Sequence, residues 1–111
     1  MVDKLIITSA LTGAITIPTQ TPHLPFTAEH LIADAIACGQ AGAAAVHVHA
    51  RDPENGRPLS DPDLFGPILK GIKAGSNVVV GVTTGGGMGM SPQDRLRVIP
   101  LYRPDLASFN L

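Results

Sequence analysis

The hydrophobic residues of this chain fall into short continuous runs, separated by longer stretches in which they recur every three or four positions. A short run made almost wholly of apolar residues predicts a strand that is covered on both faces of a sheet. Three strands are predicted in this way, and a fourth is predicted near the end of the chain. The four predicted strands are residues 5–10, 43–50, 78–83 and 105–110.

Two helices are predicted between the first three strands, and residues that favour helix ends flank them. Thr27 is a suitable N-cap for the first helix, and Gly42 suits the position just beyond its end. Asp61 is the corresponding N-cap of the second helix. A third, shorter helix is predicted to begin at Ser91, and Pro100 must interrupt or end it because proline lacks a backbone N–H.

The alternation of strands and helices predicts an α/β fold with a parallel sheet and right-handed crossovers. Two architectures fit this order: an open doubly wound sheet, and the first half of a (β/α)8 TIM barrel. A complete barrel typically has about 250 residues, and a last strand near Leu111 would leave a bare sheet edge. We therefore expect residues 1–111 to be the N-terminal part of a single TIM-barrel domain, running from its first strand to its fourth.

The composition indicates a globular protein and argues against several other classes. Hydrophobic residues make up 44% of the chain and charged residues 15%, with 12 glycines and 10 prolines, as in a well-buried, turn-rich α/β domain. A net charge of -1 gives no electrostatic reason to expect nucleic acid or an anionic membrane as a partner. No run approaches the length that spans a bilayer. One cysteine, Cys38, and the absence of a signal-peptide pattern predict a cytoplasmic protein without an internal disulfide.

Two histidines at the end of the second predicted strand are the strongest candidates for chemistry. His47 and His49 are two residues apart, so on a strand they point to the same face. At the carboxyl end of a parallel strand, where α/β folds keep their active sites, two such imidazoles can hold one metal ion. Alternatively, they are two polar residues that each form an ordinary hydrogen bond. A catalytic zinc site normally has three protein ligands, and no third ligand is obvious in this stretch.

Further polar groups follow the other strands at equivalent positions. Thr83 and Thr84 end the third strand and lead into a glycine-rich stretch, while Ser108 and Asn110 lie two apart near the end of the fourth. In a barrel all of these groups ring one mouth. Hydroxyls, an amide and exposed backbone N–H groups can bind a carboxylate or a phosphate, although glycine is also common in such turns for its shape alone.

Arg51 directly follows the second strand and admits two interpretations. It can bind an anion at the strand ends, or it can pair with Asp52 or Asp61 at the rim of the sheet. The sequence alone slightly favours the pairing at the rim.

Several short motifs, taken in order and with their spacing, resemble one known family. These motifs are Thr12-Gly13-Ala14, Pro22-His23-Leu24-Pro25-Phe26-Thr27, Gly42-Ala43-Ala44, His47-Val48-His49-Ala50-Arg51-Asp52, Gly56-Arg57-Pro58 and Thr83-Thr84-Gly85-Gly86. The set is similar to that of the beta-keto acid cleavage enzymes, of which 3-keto-5-aminohexanoate cleavage is the best-known activity. The resemblance covers essentially the whole chain.

This resemblance implies a (β/α)8 barrel with a divalent metal, usually zinc, that condenses a β-keto acid with acetyl-CoA to give acetoacetate and a new acyl-CoA. It implies that His47 and His49 are metal ligands and that Thr83 and Ser108 contact the substrate. The family's third ligand, a Glu, its Asp base and the Arg that positions this base would all lie beyond Leu111. The family also forms oligomers, commonly tetramers.

One position departs from the family pattern. Members that act on the amino-substituted keto acid carry a Glu after the Thr-Gly-Ala motif, where this chain has Ile15. An apolar side chain cannot offset the desolvation of an ammonium group. We therefore predict a substrate without an amino group, unless Ile15 points into the core instead.

Two other functions remain open from the sequence. Metal-dependent amidohydrolases also use His-x-His in a barrel, although there the pair normally ends the first strand rather than the second. A half barrel with an incomplete metal site could also be a non-catalytic fragment.

Overall fold

The parallel sheet of this protein follows the order of the chain. A computed structural model describes residues 3–85 and 89–109. Its strands β1 (Thr8–Ala10), β2 (Ala45–Val48), β3 (Val79–Val82) and β4 (Leu106–Ala107) are neighbours in sequence order, and every pairing is parallel. A doubly wound sheet would reverse its strand order at a switch point. The sequential order instead confirms the predicted part of a (β/α)8 barrel.

The two long helices begin at the caps predicted from the sequence. Helix α1 (Ala28–Gln40) starts where the Thr27 hydroxyl accepts a hydrogen bond from the backbone N–H of His30, and helix α2 (Pro62–Gly75) starts where Asp61 accepts one from Asp63. Gly42 follows α1 with a φ of 109°, a conformation that favours glycine. Both predicted N-caps are therefore confirmed.

The predicted third helix is interrupted one turn before its proline. It forms two short helices, α3 (Pro92–Leu96) and α4 (Val98–Tyr102), which meet at Arg97. Pro100 lies within the first turn of α4, where backbone N–H groups have no partner inside the helix and proline costs little. The expectation that Pro100 interrupts this helix is therefore confirmed, because proline has no N–H to donate to the carbonyl of Leu96, four residues before it, where α3 ends.

The core lies between the helices and one face of the sheet. Val46, Val48, Val80 and Val82 are fully buried on that face, which alternates with the other along each strand. They pack with apolar residues of the helices, namely Leu31, Ala35, Phe65, Ile68, Leu69, Ile72 and Val98. Each fully buried valine contributes about 1.5–3 kcal/mol, so this face supplies stability while the opposite face is left for other groups.

The observed strands are shorter than the apolar runs that predicted them, most of all at the start of the chain. Strand β1 begins at Thr8, and Leu5, Ile6 and Ile7 before it are 85%, 77% and 51% exposed. The prediction that this run is covered on both faces was wrong for the described residues. Strand β1 contacts mainly β2. Because β2 pairs with an edge of β1, it covers neither face of β1. Among the described residues, no helix is long and apolar enough to cross a membrane.

Candidate active site at the carboxyl ends of the strands

His47 and His49 lie on the sheet face that points away from the helices. Their neighbours Val46 and Val48 belong to the core, whereas both histidines are half-buried outside it. In the register of β2 and β3, His47 is level with Gly81. A Cβ at Gly81 would lie 3.6 Å from the His47 Nδ1 atom and 3.4 Å from Leu106 Cβ, which is ordinary van der Waals contact. The predicted shared face of the two histidines is confirmed.

The two imidazoles are close together and uncharged at neutral pH. Their ring centroids are 5.0 Å apart and their planes meet at 76°. Burial lowers the pKa of His47. Burial, repulsion from His47 when it is protonated, and the positive charge of Arg51 together lower the pKa of His49 to about 4. Both rings therefore have a nitrogen lone pair free of the proton that would compete with a metal ion.

This geometry fits two ligands of one divalent cation. When two imidazoles bind one zinc ion at about 2.1 Å in tetrahedral geometry, their ring centres are roughly 5 Å apart, as they are here. Across residues 3–85 and 89–109, however, no group of three or more His, Cys, Asp or Glu side chains could hold a metal. The described residues thus offer two candidate ligands of the three that a catalytic zinc site normally has.

The hydroxyls at the ends of β3 and β4 form a connected group. Thr83 directly follows β3 and Ser108 follows β4, and the register of Val82 with Ala107 brings them level. The Thr83 hydroxyl accepts a hydrogen bond from the Gly85 amide at 3.0 Å, and the Ser108 hydroxyl accepts one from the Thr84 amide at 2.9 Å. Because each hydroxyl acts as an acceptor in these bonds, its own proton can be donated to a ligand oxygen.

Thr84 plays a supporting part that its sequence position does not reveal. It is 6% exposed, and its hydroxyl donates to the Ser108 carbonyl oxygen at 2.6 Å. Together with the bond from its amide to the Ser108 hydroxyl, this contact ties the ends of β3 and β4 to each other. These two hydrogen bonds place Ser108 beside Thr83, the residue before Thr84.

Arg51 is a buried residue that contacts backbone carbonyls rather than acidic groups at the rim. It is only 2% exposed, and its guanidinium donates to the carbonyl oxygens of Gly13, Thr16 and Gly56. The carboxylate of Asp52 accepts hydrogen bonds from Glu54 and Asn55 instead, and Asp61 caps α2. The interpretation that Arg51 pairs with Asp52 or Asp61 was therefore wrong, and sequence offers little signal for contacts with backbone carbonyls.

Of the two remaining candidates for substrate binding, the structure describes Ile15 but not Asn110. Ile15 is 87% exposed, so it does not point into the core formed by the described residues. Its neighbours Gly13 and Thr16 are the residues whose carbonyls Arg51 contacts. Asn110 lies outside the described residues, as do Gly86 and Gly87 of the glycine-rich stretch.

Comparison with curated proteins shows relatives that are about three times as long. The 3,5-dioxohexanoate:acetyl-CoA acetone transferase of Paraburkholderia graminis is 43% identical over 108 residues, which cover 97% of this chain and 35% of that protein. The 3-keto-5-aminohexanoate cleavage enzyme of Acetoanaerobium sticklandii is 33% identical over 109 residues, which cover 97% of this chain and 39% of that protein. The chain thus spans between a third and two fifths of the length of these relatives.

A solved structure and a family model agree with this result. The ternary complex of ObcA with a C4-CoA adduct and oxalate superposes with a TM-score of 0.69 and 24% identity, over 80% of this chain and 24% of that chain. This likeness shows the fold. The model of the family described as beta-keto acid cleavage enzyme matches residues 4–111. The chain therefore belongs to the beta-keto acid cleavage enzyme family.

Proposed function

We propose that this protein cleaves a β-keto acid with acetyl-CoA, giving acetoacetate and a new acyl-CoA. In this exchange the bond between C2 and C3 of the keto acid breaks, its acyl group passes to the CoA sulfur, and the acetyl group of acetyl-CoA joins C2. The observation that carries the proposal is the pair of neutral imidazoles, His47 and His49, on the open face of a sheet in a chain of this family.

The histidines would hold a divalent cation, with zinc the first choice because it favours imidazole ligands. When bound, such a cation supplies positive charge that favours removal of a proton from C2 of the keto acid. The third ligand is to be sought outside residues 3–85 and 89–109, because no group of three or more His, Cys, Asp or Glu side chains within them could hold a metal. By the family resemblance, the general base also lies beyond Leu111.

Thr83 and Ser108 would bind the substrate carboxylate. Their hydroxyls are held by the backbone amides of Gly85 and Thr84, so they are oriented before the substrate arrives. Asn110, two residues after Ser108 in the sequence, is a further candidate for binding this carboxylate. Such contacts fix the carboxylate end of the keto acid and leave its tail to meet a different part of the site.

We propose that the tail carries no amino group and faces Ile15. Ile15 is exposed and apolar, and it cannot compensate an ammonium ion for lost hydration. The sequence identities support this choice, since the relative named for 3,5-dioxohexanoate is 43% identical and one named for 3-keto-5-aminohexanoate is 33% identical. Acetyl-CoA, named in the first of these relatives, is the proposed co-substrate. We also propose that the protein is a cytoplasmic homo-oligomer, with a tetramer as the first expectation. Light scattering of the purified protein tests the oligomeric state.

The direct test is to incubate the full-length protein with acetyl-CoA and either 3,5-dioxohexanoate or 3-keto-5-aminohexanoate. We expect acetoacetate and an acyl-CoA in equal amounts, by mass spectrometry, with the oxo compound preferred. Cleavage that does not require acetyl-CoA would refute the proposal, and amide hydrolysis would favour the amidohydrolase alternative. Absence of any turnover by metal-loaded protein would favour the non-catalytic alternative.

The metal site has a matched control within the chain. His47→Ala and His49→Ala should each lower bound zinc, measured by elemental analysis, to well below one ion per subunit. His23→Ala changes an exposed loop histidine and should leave the zinc content unchanged. Equal zinc in all three variants would show that the two histidines are not the ligands.

A further inference from the structure

We infer that Arg51 is a positioning residue that sets the selectivity of the site for the substrate tail, acting through Ile15. This inference rests on the proposed function for its link to selectivity. Its structural part, that Arg51 holds the segment 13–16 in place, rests on contacts alone and is tested separately below.

The backbone around Arg51 is itself fixed. Ala50 before it is buried, and Arg51 pairs with Pro58 in an antiparallel bridge beyond the end of β2. The Asp52 amide donates to the Arg57 carbonyl at 2.9 Å, which closes the turn between the two sides of this bridge. The Arg51 side chain therefore extends from a rigid base that begins two residues after His49.

The Arg51 guanidinium forms hydrogen bonds to the backbone on both sides of Ile15, and we call this set of contacts the clamp. One nitrogen donates to the Gly13 carbonyl and the other to the Thr16 carbonyl, each at 2.5 Å. The second nitrogen also donates to the Gly56 carbonyl at 2.8 Å. A planar guanidinium has donors in a fixed fork, so binding two carbonyls that are three residues apart restricts the conformation of the residues between them.

The residue between these two contacts that bears a large side chain is Ile15. Ile15 is 87% exposed, whereas Arg51 is only 2% exposed. Packing within the described residues therefore does not hold the Ile15 side chain in place. The position of that side chain depends on the backbone of residues 13–16. That backbone depends in turn on Arg51.

The role is not that of an ordinary structural ion pair. Lys73 with Asp105 is the ion pair found within residues 3–85 and 89–109, and Arg51 has no carboxylate partner there. A buried guanidinium without a counter-charge is costly. Its hydrogen bonds to three carbonyls offset part of that cost, and all three lie in the two loops beside the histidine face.

Kinetics of the full-length enzyme test the link to selectivity. In Arg51→Met we expect the preference for 3,5-dioxohexanoate over 3-keto-5-aminohexanoate, as a ratio of kcat/KM values, to fall about tenfold, the size of one apolar contact. The fall should appear mainly in KM for the preferred substrate. Arg57→Met, an exposed arginine in the same turn, should keep the wild-type ratio.

A double-mutant cycle separates an effect through Ile15 from general damage. If Arg51 acts through Ile15, the double variant Arg51→Met with Ile15→Ala loses no more selectivity than the more affected single variant. Losses that multiply would overturn the inference, as would an equal loss of kcat/KM for both substrates in Arg51→Met. If Arg51→Met does not fold, Arg51→Lys replaces it, because a single ammonium cannot reproduce the fork between Gly13 and Thr16.

A measurement without substrate tests the clamp by itself. Thermolysin cleaves before large apolar residues, so mass spectrometry can follow its cleavage of the bond between Ala14 and the exposed Ile15. We expect cleavage at least tenfold faster in Arg51→Met than in the wild type, and unchanged in Arg57→Met. An unchanged rate in Arg51→Met would refute the clamp. Fast cleavage in a protein without keto acid activity would support the clamp and refute the proposed function.

Discussion

Alanine at Gly56 should destabilise the protein much more than alanine at Gly13, although the two backbones are alike. Both glycines have a φ of 72°, and the carbonyl of each accepts a hydrogen bond from Arg51. Their surroundings differ. A Cβ at Gly13 would meet nothing within 4 Å, whereas a Cβ at Gly56 would lie 2.5 Å from Pro18 Cγ, 2.9 Å from Pro18 Cδ and 3.2 Å from Phe26 Cγ. The comparison thus isolates the close approach of the two loops.

The expected losses follow from two separate costs. An L-residue in the left-handed region costs about 1–2 kcal/mol, of which about 0.4–1 kcal/mol is regained because alanine restricts the unfolded chain more than glycine does. Gly13→Ala should therefore lower the free energy of unfolding by about 1 kcal/mol. Gly56→Ala carries the same cost plus overpacking against a rigid proline ring, which adds about 1–3 kcal/mol.

Equilibrium urea unfolding of the full-length protein, followed by far-UV circular dichroism, measures the difference. Residues 1–111 contain no tryptophan, so a backbone signal is the suitable probe. The slope of the transition must be equal in the two variants for the comparison to hold. Losses that agree within about 0.5 kcal/mol, the usual error of additivity, would show that the loops separate at little cost and that Gly56 does not hold them together.

Three further substitutions test the fold, the first two by the same urea unfolding and the third by thermal unfolding at different pH values. Thr27→Ala removes the N-cap of α1 and should cost about 1 kcal/mol; Thr27→Ser should cost less, and equal losses would contradict the capping role. Phe65→Ala empties a site that is 1% exposed and should cost about 3–5 kcal/mol, so a loss below 1 kcal/mol would refute its place in the core. The Val80 amide, followed by Lys73, lowers the pKa of Asp105. The stabilising effect of the Asp105 carboxylate is therefore present above the usual pKa of about 3.9 and is lost as the pH falls through the lowered value. The gap in Tm between wild type and Asp105→Ala should accordingly narrow on acidification. A gap that stays constant to pH 2 would contradict this assignment.

The sequence predicted those features that depend on a residue's own position in a pattern. Thr27 and Asp61 were identifiable as caps because a cap bonds to an amide two or three residues away. His47 and His49 were predictable as neighbours on one face because alternation along a strand needs no knowledge of other strands. These predictions required local geometry alone, and the structure confirms them.

Features that depend on a distant partner were not predictable in the same way. Arg51 contacts carbonyls 35 and 38 positions away in the sequence, and every residue has a carbonyl, so no side-chain pattern indicates the partner. The charged residues nearby, Asp52 and Asp61, instead suggested an ion pair that does not form.

The alternation along β2 separates stability from chemistry within four consecutive residues. Val46 and Val48 belong to the core, whereas His47 and His49 lie outside that cluster and are half-buried on the opposite side. Arg51 continues this spacing past the end of the strand, but it turns its charge toward the carbonyls of loops rather than toward a ligand. The loops that surround the histidine face are thereby fixed to the strand that carries the histidines. A substitution in residues 13–16 can then alter the proposed contact with the substrate tail while the imidazoles keep their geometry, so selectivity can vary independently of the proposed metal site.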